Sequence, residues 1–130
     1  MSQENVETVR SAFAAFGDGD LERLRYLVTD DLIVYRADPD GARSHGLDGF
    51  LQLTADWTEG FKDWTWVPEE FTDARDRVLV RVRQSARGEA SGVPLAEDWW
   101  FVYEFRGVRI ARMSIYAHEA DALEAARLRE

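Results

Sequence analysis

Cysteine is absent from the 130 residues. That excludes disulfides, thiolate zinc sites and thiol catalysis, and it fits a reducing compartment. Clusters of basic residues are absent too. The chain carries 16 Lys and Arg against 25 Asp and Glu, a formal net charge of −9, so it repels phosphate backbones and no nucleic-acid partner is expected. No apolar run approaches the about 20 residues that cross a bilayer. The opening Met1-Ser2-Gln3-Glu4-Asn5 has no charged-then-apolar signal pattern, so no membrane partner is expected and a cytoplasmic location is. Histidine is scarce. His45 and His118 are the two, without the acidic spacing of a metal site, and neither metal nor cofactor is expected. Repeats, linkers and low-complexity segments are missing as well.

What is present is a chain of one-domain length, residues 1–130, with 45% hydrophobic residues and five Trp. So much aromatic bulk points to large side chains around a core or a pocket. Its organising stretch, Arg75 to His118, reads as a meander of Arg77–Gln84, Glu97–Phe105 and Val108–Tyr116, broken at Gly88, Gly92, Pro94 and Gly107. In the first of these strands Val78, Val80 and Val82 alternate with Leu79, Arg81 and Arg83. Side chains alternate across a strand, so one side of the sheet is apolar and needs a cover.

The residues before it supply that cover. Val6, Val9, Phe13 and Phe16 fall on one side of a helix over 2–16, which Gly17-Asp18-Gly19 stops. Asp20 caps a second helix over Leu21–Leu27. Thr29-Asp30-Asp31 reads as a turn, Leu32–Tyr35 as a short strand, and Ala37–Ser44, containing Asp38-Pro39-Asp40-Gly41, as a polar loop. A third helix over Leu47–Phe61 has Phe50, Leu53, Trp57 and Phe61 as its apolar side. Trp64–Phe71 is a strand that Pro68 assigns to a sheet edge or a bulge, and residues 119–128 read as a closing helix. Helices gathered before a mostly antiparallel run of strands give an α+β class: a curved, cone-shaped sheet wrapped around three N-terminal helices.

These pieces together resemble a known family. Phe13-Ala14-Ala15-Phe16-Gly17-Asp18-Gly19-Asp20-Leu21, the strand Asp31 to Tyr35, His45-Gly46-Leu47-Asp48-Gly49-Phe50 and Arg77-Val78-Leu79-Val80 match it in order. Arg87-Gly88-Glu89-Ala90-Ser91-Gly92-Val93, Phe105-Arg106-Gly107-Val108-Arg109-Ile110 and Ile115-Tyr116 before Ala122-Leu123-Glu124-Ala125-Ala126 complete the set. The chain is similar to the polyketide-cyclase (SnoaL-like) branch of the nuclear transport factor 2-like, or ketosteroid-isomerase-like, superfamily. That scaffold hosts isomerases, cyclases, epoxide hydrolases and binding domains, so the fold alone names no reaction. The resemblance implies an acid/base His and Asp at the positions of Phe101 and Ile115, neither of which carries a proton. The epoxide-hydrolase pattern falls near Val82, Gln84 and Ile115, and the first helix lacks the Tyr of the ketosteroid isomerases. No catalytic residue is therefore assigned. The resemblance also implies a homodimer through the outer sheet face, where Trp100 and Tyr116 lie among arginines.

Candidate pocket residues follow from the faces. Gln84 continues the valine face, placed to orient a ligand carbonyl or a water, unless it meets solvent at the strand end. Trp99, Phe101, Tyr103 and Phe105 share a face that lines a pocket or fills a core. Tyr35 is expected at the mouth of the cone, and Trp57 and Phe61 as its lid. Phe16, Trp66, Val82 and Ile115 complete the expected lining. Glu97, Asp98 and Glu70 are carboxylates for which a surface position is the commoner outcome in so acidic a chain. His45 reads as an exposed loop residue, and His118 is placed for acid/base work only if the pocket reaches it. Three functions fit: a binder of a small, apolar or mixed-polarity molecule; an isomerase, cyclase or hydrolase with an unidentified acid/base group; and a homodimeric accessory domain whose cavity its own aromatics fill.

Overall fold

A computed structural model describes residues 2–37 and 41–127. Helix α1 (Ser2–Asp18) is followed by α2 (Leu21–Leu27), whose Asp20 cap accepts a hydrogen bond from the Arg23 N–H at 3.1 Å. Strands β1 (Val28–Arg36) and β2 (Ala42–His45) precede α3 (Gly46–Trp57). Then come β3 (Phe61–Ala74), β4 (Arg77–Gly88), β5 (Pro94–Arg106), β6 (Arg109–Tyr116) and α4 (Glu119–Arg127). The six strands form one curved sheet in the order β2-β1-β6-β5-β4-β3, antiparallel except for the parallel pair β1–β6. Pro68 lies in β3, an edge strand, next to a register shift between Pro68 and Glu70. The ring has no N–H for a ladder, so the edge is where it is tolerated.

The alternation of β4 decides what lies on each side. Val78, Val80 and Val82 are fully buried on the concave face. There α1 lies against them and their β5 neighbours, with the Phe13 ring stacked 6.2 Å from Phe101. Each such valine contributes roughly 1.5–3 kcal/mol by leaving water. The outer face pairs its charges across strands. Arg81 meets Glu69 at 2.9 Å, Arg83 meets Asp98 at 3.1 Å, and Arg112 meets Glu104 at 3.7 Å.

Several boundaries differ from the sequence reading. β1 begins at Val28 and absorbs the expected turn Thr29-Asp30-Asp31, because Val28 pairs with Ile110 and the chain resumes register at Ile33 opposite Arg112. Part of the expected polar loop is β2, an edge hairpin partner of β1 with Ile33 opposite His45. Helix α3 stops at Trp57 rather than Phe61. The Thr58 hydroxyl donates back to the Thr54 carbonyl at 2.9 Å, and Gly60 turns the chain at φ 88°. Phe61 opens β3 instead. Asp38, Pro39 and Asp40 of the expected loop, and Leu128 of the expected last helix, lie outside the described residues.

The outer face is partly covered by the chain itself. Helix α4 sets Ala122 and Ala126, both buried and one turn apart, over Leu79 and Val102. Arg77 fixes it there. Its buried guanidinium donates to the carbonyls of Ala125 at 3.1 Å and Ala126 at 3.5 Å, and pairs with Glu104 at 3.5 Å. A cation at a helix C-terminus satisfies orphan carbonyls and meets the negative end of the helix dipole. Arg77→Ala is expected to lower the unfolding free energy by about 2–3 kcal/mol, from charge-assisted bonds lost in a buried setting. It should also expose the chain after Ala117 to rapid proteolysis. Urea denaturation and timed trypsin digestion measure the two effects.

Candidate functional site

One end of the cone is closed by tryptophans drawn from three elements. The last residue of α3 is Trp57, β3 carries Trp64 and Trp66 on one face, and β5 carries Trp99. Trp57 lies edge-on to Trp99 with ring centroids 4.8 Å apart and 5.6 Å from Trp66. Trp66 in turn meets Phe101 at 4.9 Å and Trp64 at 4.5 Å. The Arg36 guanidinium lies 3.9 Å over the Trp57 ring, a cation on the negative face of an indole.

A polar thread runs beneath these rings. The Trp66 indole N–H donates to Gln84 Oε1 at 2.9 Å, Gln84 Nε2 donates to Glu97 Oε1 at 3.0 Å, and the Trp99 indole N–H donates to the same Glu97 oxygen at 3.1 Å. The indole can only donate, so it fixes the amide orientation of Gln84, and the amide then presents its N–H to the carboxylate. Glu97 Oε1 receives both of these donors. Gln84 does point inward and is 2% exposed, but both ends of its amide are engaged with protein.

The open space lies deeper, on the helix side. A chamber of about 40 Å³ is bounded by Phe13, Phe16, Leu24, Leu47, Met113 and Tyr103, among others. Its surface is almost wholly hydrocarbon. Tyr103 is 5% exposed, with its ring edge-on to Phe13 at 6.3 Å. No hydrogen bond to its hydroxyl is made by any described residue. Burial pushes its phenol far above the ordinary tyrosine value of about 10.

The expected pocket residues therefore divide. Phe16, Trp66 and Tyr103 border the chamber. Trp57, Trp99 and Gln84 belong to the aromatic end and its polar thread. Val82, Phe101 and Ile115 are fully buried, with Phe101 paired opposite Ile115 across β5 and β6. Tyr35 stands elsewhere. Leu32 and Val34 turn inward, so Tyr35 faces the outer side, 6.4 Å from Tyr116 and beside Arg43 and Arg112. Phe61 lies at the rim, 40% exposed, beyond a register shift between Lys62 and Thr65 where Asp63 adopts φ 57°. Both histidines are exposed, and no group of three or more metal-ligating side chains occurs among the described residues. Glu97, for which the sequence favours a surface position over a place in the cavity, is half-buried and joins the thread. It stands two residues before Trp99 and so shares its face, a parity argument available in the sequence alone.

Two outcomes test this geometry. Gln84→Leu keeps the volume but leaves the Trp66 N–H without its acceptor, and is expected to cost about 1–3 kcal/mol by urea denaturation. The neutral Tyr103 phenol gives a defined pH dependence. The stability it contributes is complete below about pH 10, the unfolded tyrosine value, and drains as pH rises from there toward the raised folded value. In an alkaline titration followed by phenolate absorbance, the Tyr103 contribution is expected to appear only as the chain unfolds, and Tyr103→Phe to remove that step.

Solved structures share this architecture. An NTF2-like protein from Burkholderia xenovorans is 24% identical, with a TM-score of 0.75 and coverage of 98% of both chains. TerC, crystallised with polyporic acid, is 20% identical with a TM-score of 0.75, over 95% of this chain and 98% of its own. A protein with a ketosteroid isomerase-like fold from Catenulispora acidiphila, in complex with trimethylamine, is 18% identical with a TM-score of 0.71, over 92% of each chain. No curated protein matches the sequence. The SnoaL-like domain model matches residues 9–113, which take in the second half of the first helix, the aromatic end, the polar thread and the chamber; the chain belongs to the SnoaL-like domain family.

Proposed function

We propose that this SnoaL-like chain binds a small, mostly apolar molecule in the interior of its cone. The observation that carries the reading is the chamber beside α1, lined almost wholly by hydrocarbon. Two proteins of the same fold were crystallised with small molecules, polyporic acid in TerC and trimethylamine in the Catenulispora protein. The chamber is far smaller than the roughly 300 Å³ at which pockets for drug-sized ligands begin. The ligand is therefore small, or its entry displaces the half-buried rings of Phe13 and Phe16.

A second reading is an accessory domain closed by its own side chains, favoured by the contacts among Trp57, Trp66, Trp99 and Phe101 that seal one end. A catalytic reading has Glu97 as its acid/base group, but Glu97 does not border the chamber. The homodimer implied by the family has, for its interface, the part of the outer face that α4 leaves uncovered, around Arg81, Arg83 and Asp98. A cytoplasmic location remains the reading of a chain without cysteine.

Native mass spectrometry of freshly purified protein separates these readings. A retained small molecule is expected, and the same spectrum gives the subunit number. Ala12, buried on the chamber wall, offers the control. Ala12→Leu fills the space and should abolish retention with the melting temperature kept or raised. A wild-type protein that carries nothing and binds no apolar probe would leave the accessory reading standing.

A further inference from the structure

We infer that Tyr103 anchors the ligand through its hydroxyl, and that the ligand is a neutral small molecule with one hydrogen-bond acceptor, such as a ketone, ester or ether oxygen, on an otherwise apolar body. The inference rests on the chamber being a ligand site and names what that site selects.

Tyr103 sits on β5 opposite Val78 of β4 and Met113 of β6, with Phe13 and Phe101 beside its ring. None of these offers a strong acceptor, and no described residue hydrogen-bonds the hydroxyl. The other N–H on the chamber wall, that of Trp66, is already engaged with Gln84. An ordered buried water needs two to four polar partners, and this wall supplies one. Water is thus a poor occupant, and an acceptor carried in by an apolar molecule is a good one.

The same wall rejects charge. No Arg, Lys or His borders the chamber to hold an anion, and no Asp or Glu to hold a cation. Burial keeps the phenol protonated, so it remains a donor throughout the physiological range. A carboxylate or ammonium ligand would be desolvated there without compensation. A neutral carbonyl or ether oxygen loses less on leaving water and regains a hydrogen bond.

The experiment uses two probes of nearly the same shape, cyclopentanone and methylenecyclopentane, titrated into the full-length protein and followed by amide chemical shifts. They differ in a C=O replaced by C=CH₂. Tyr103→Phe is expected to weaken the ketone about tenfold, the equivalent of one hydrogen bond, and to leave the hydrocarbon unchanged or slightly tighter. Because the hydroxyl has no partner among the described residues, the variant should melt at the same temperature or higher. Equal effects on both probes, or no effect on either, overturns the anchoring role, as does a marked fall in melting temperature. Failure of both probes to bind the wild type overturns the chamber as a ligand site, and the inference with it.

Discussion

The two-residue alternation of β4 is the constraint on which the rest of this structure depends. It places Val78, Val80 and Val82 on one side of the sheet and Leu79, Arg81 and Arg83 on the other. The valine side cannot face water, so α1 must lie against it. Leu79 on the opposite side creates a smaller demand of the same kind, which α4 meets with Ala122 and Ala126. Small residues let that helix approach closely, and Arg77 lies at the strand's start where it can cap the helix's end. The sheet is thus covered on both faces by helices from opposite ends of the sequence, with the charged rows left to pair across strands.

Filling the concave side is a problem of size, solved differently at the two ends. Where β3, β5 and the end of α3 converge, indole rings close the gap. Indoles bring N–H groups that burial penalises. Gln84 and Glu97 answer for two of them by relaying acceptors inward from the strand ends. Trp64 has no such partner for its buried N–H. Nearer the helices the wall is built from Leu24, Leu47 and Met113 with the edges of Phe13 and Phe16, and these shapes leave a void. The only hydroxyl on that void belongs to Tyr103, whose neighbours on either side along the strand face are Phe101 and Phe105.

Much of this is legible in the sequence where a residue's face follows from simple parity. The valine row, the inward direction of Gln84 and the edge position announced by Pro68 are of that kind. Tyr35 was harder because Leu32-Ile33-Val34-Tyr35 is apolar throughout, and a continuous run does not declare which parity is inside. Only the pairing of β1 with β6 settles that Leu32 and Val34 point in and Tyr35 points out. The end of α3 was hidden for another reason. Phe61 falls at helical spacing from Trp57, but Gly60 and the Thr58 back-bond end the helix first. That no described residue accepts from Tyr103 cannot be read from any local pattern, since it depends on what the elements packed around it bring near.

The resemblance places an acid/base pair at Phe101 and Ile115, and here those side chains are paired across β5 and β6 without any exposure. Phe13 stacks on the first of them from α1. A proton-carrying group there would be desolvated on every side, so the hydrocarbon is part of the packing that holds α1 in the cone. Chemistry on this scaffold must then work from polar atoms elsewhere. Two of the polar groups there differ in kind. Glu97 is an acceptor held by two N–H donors at the sealed end; Tyr103 is a donor with nothing to hold, at the end that is not full. Between these two, only the phenol belongs to a residue that borders the chamber.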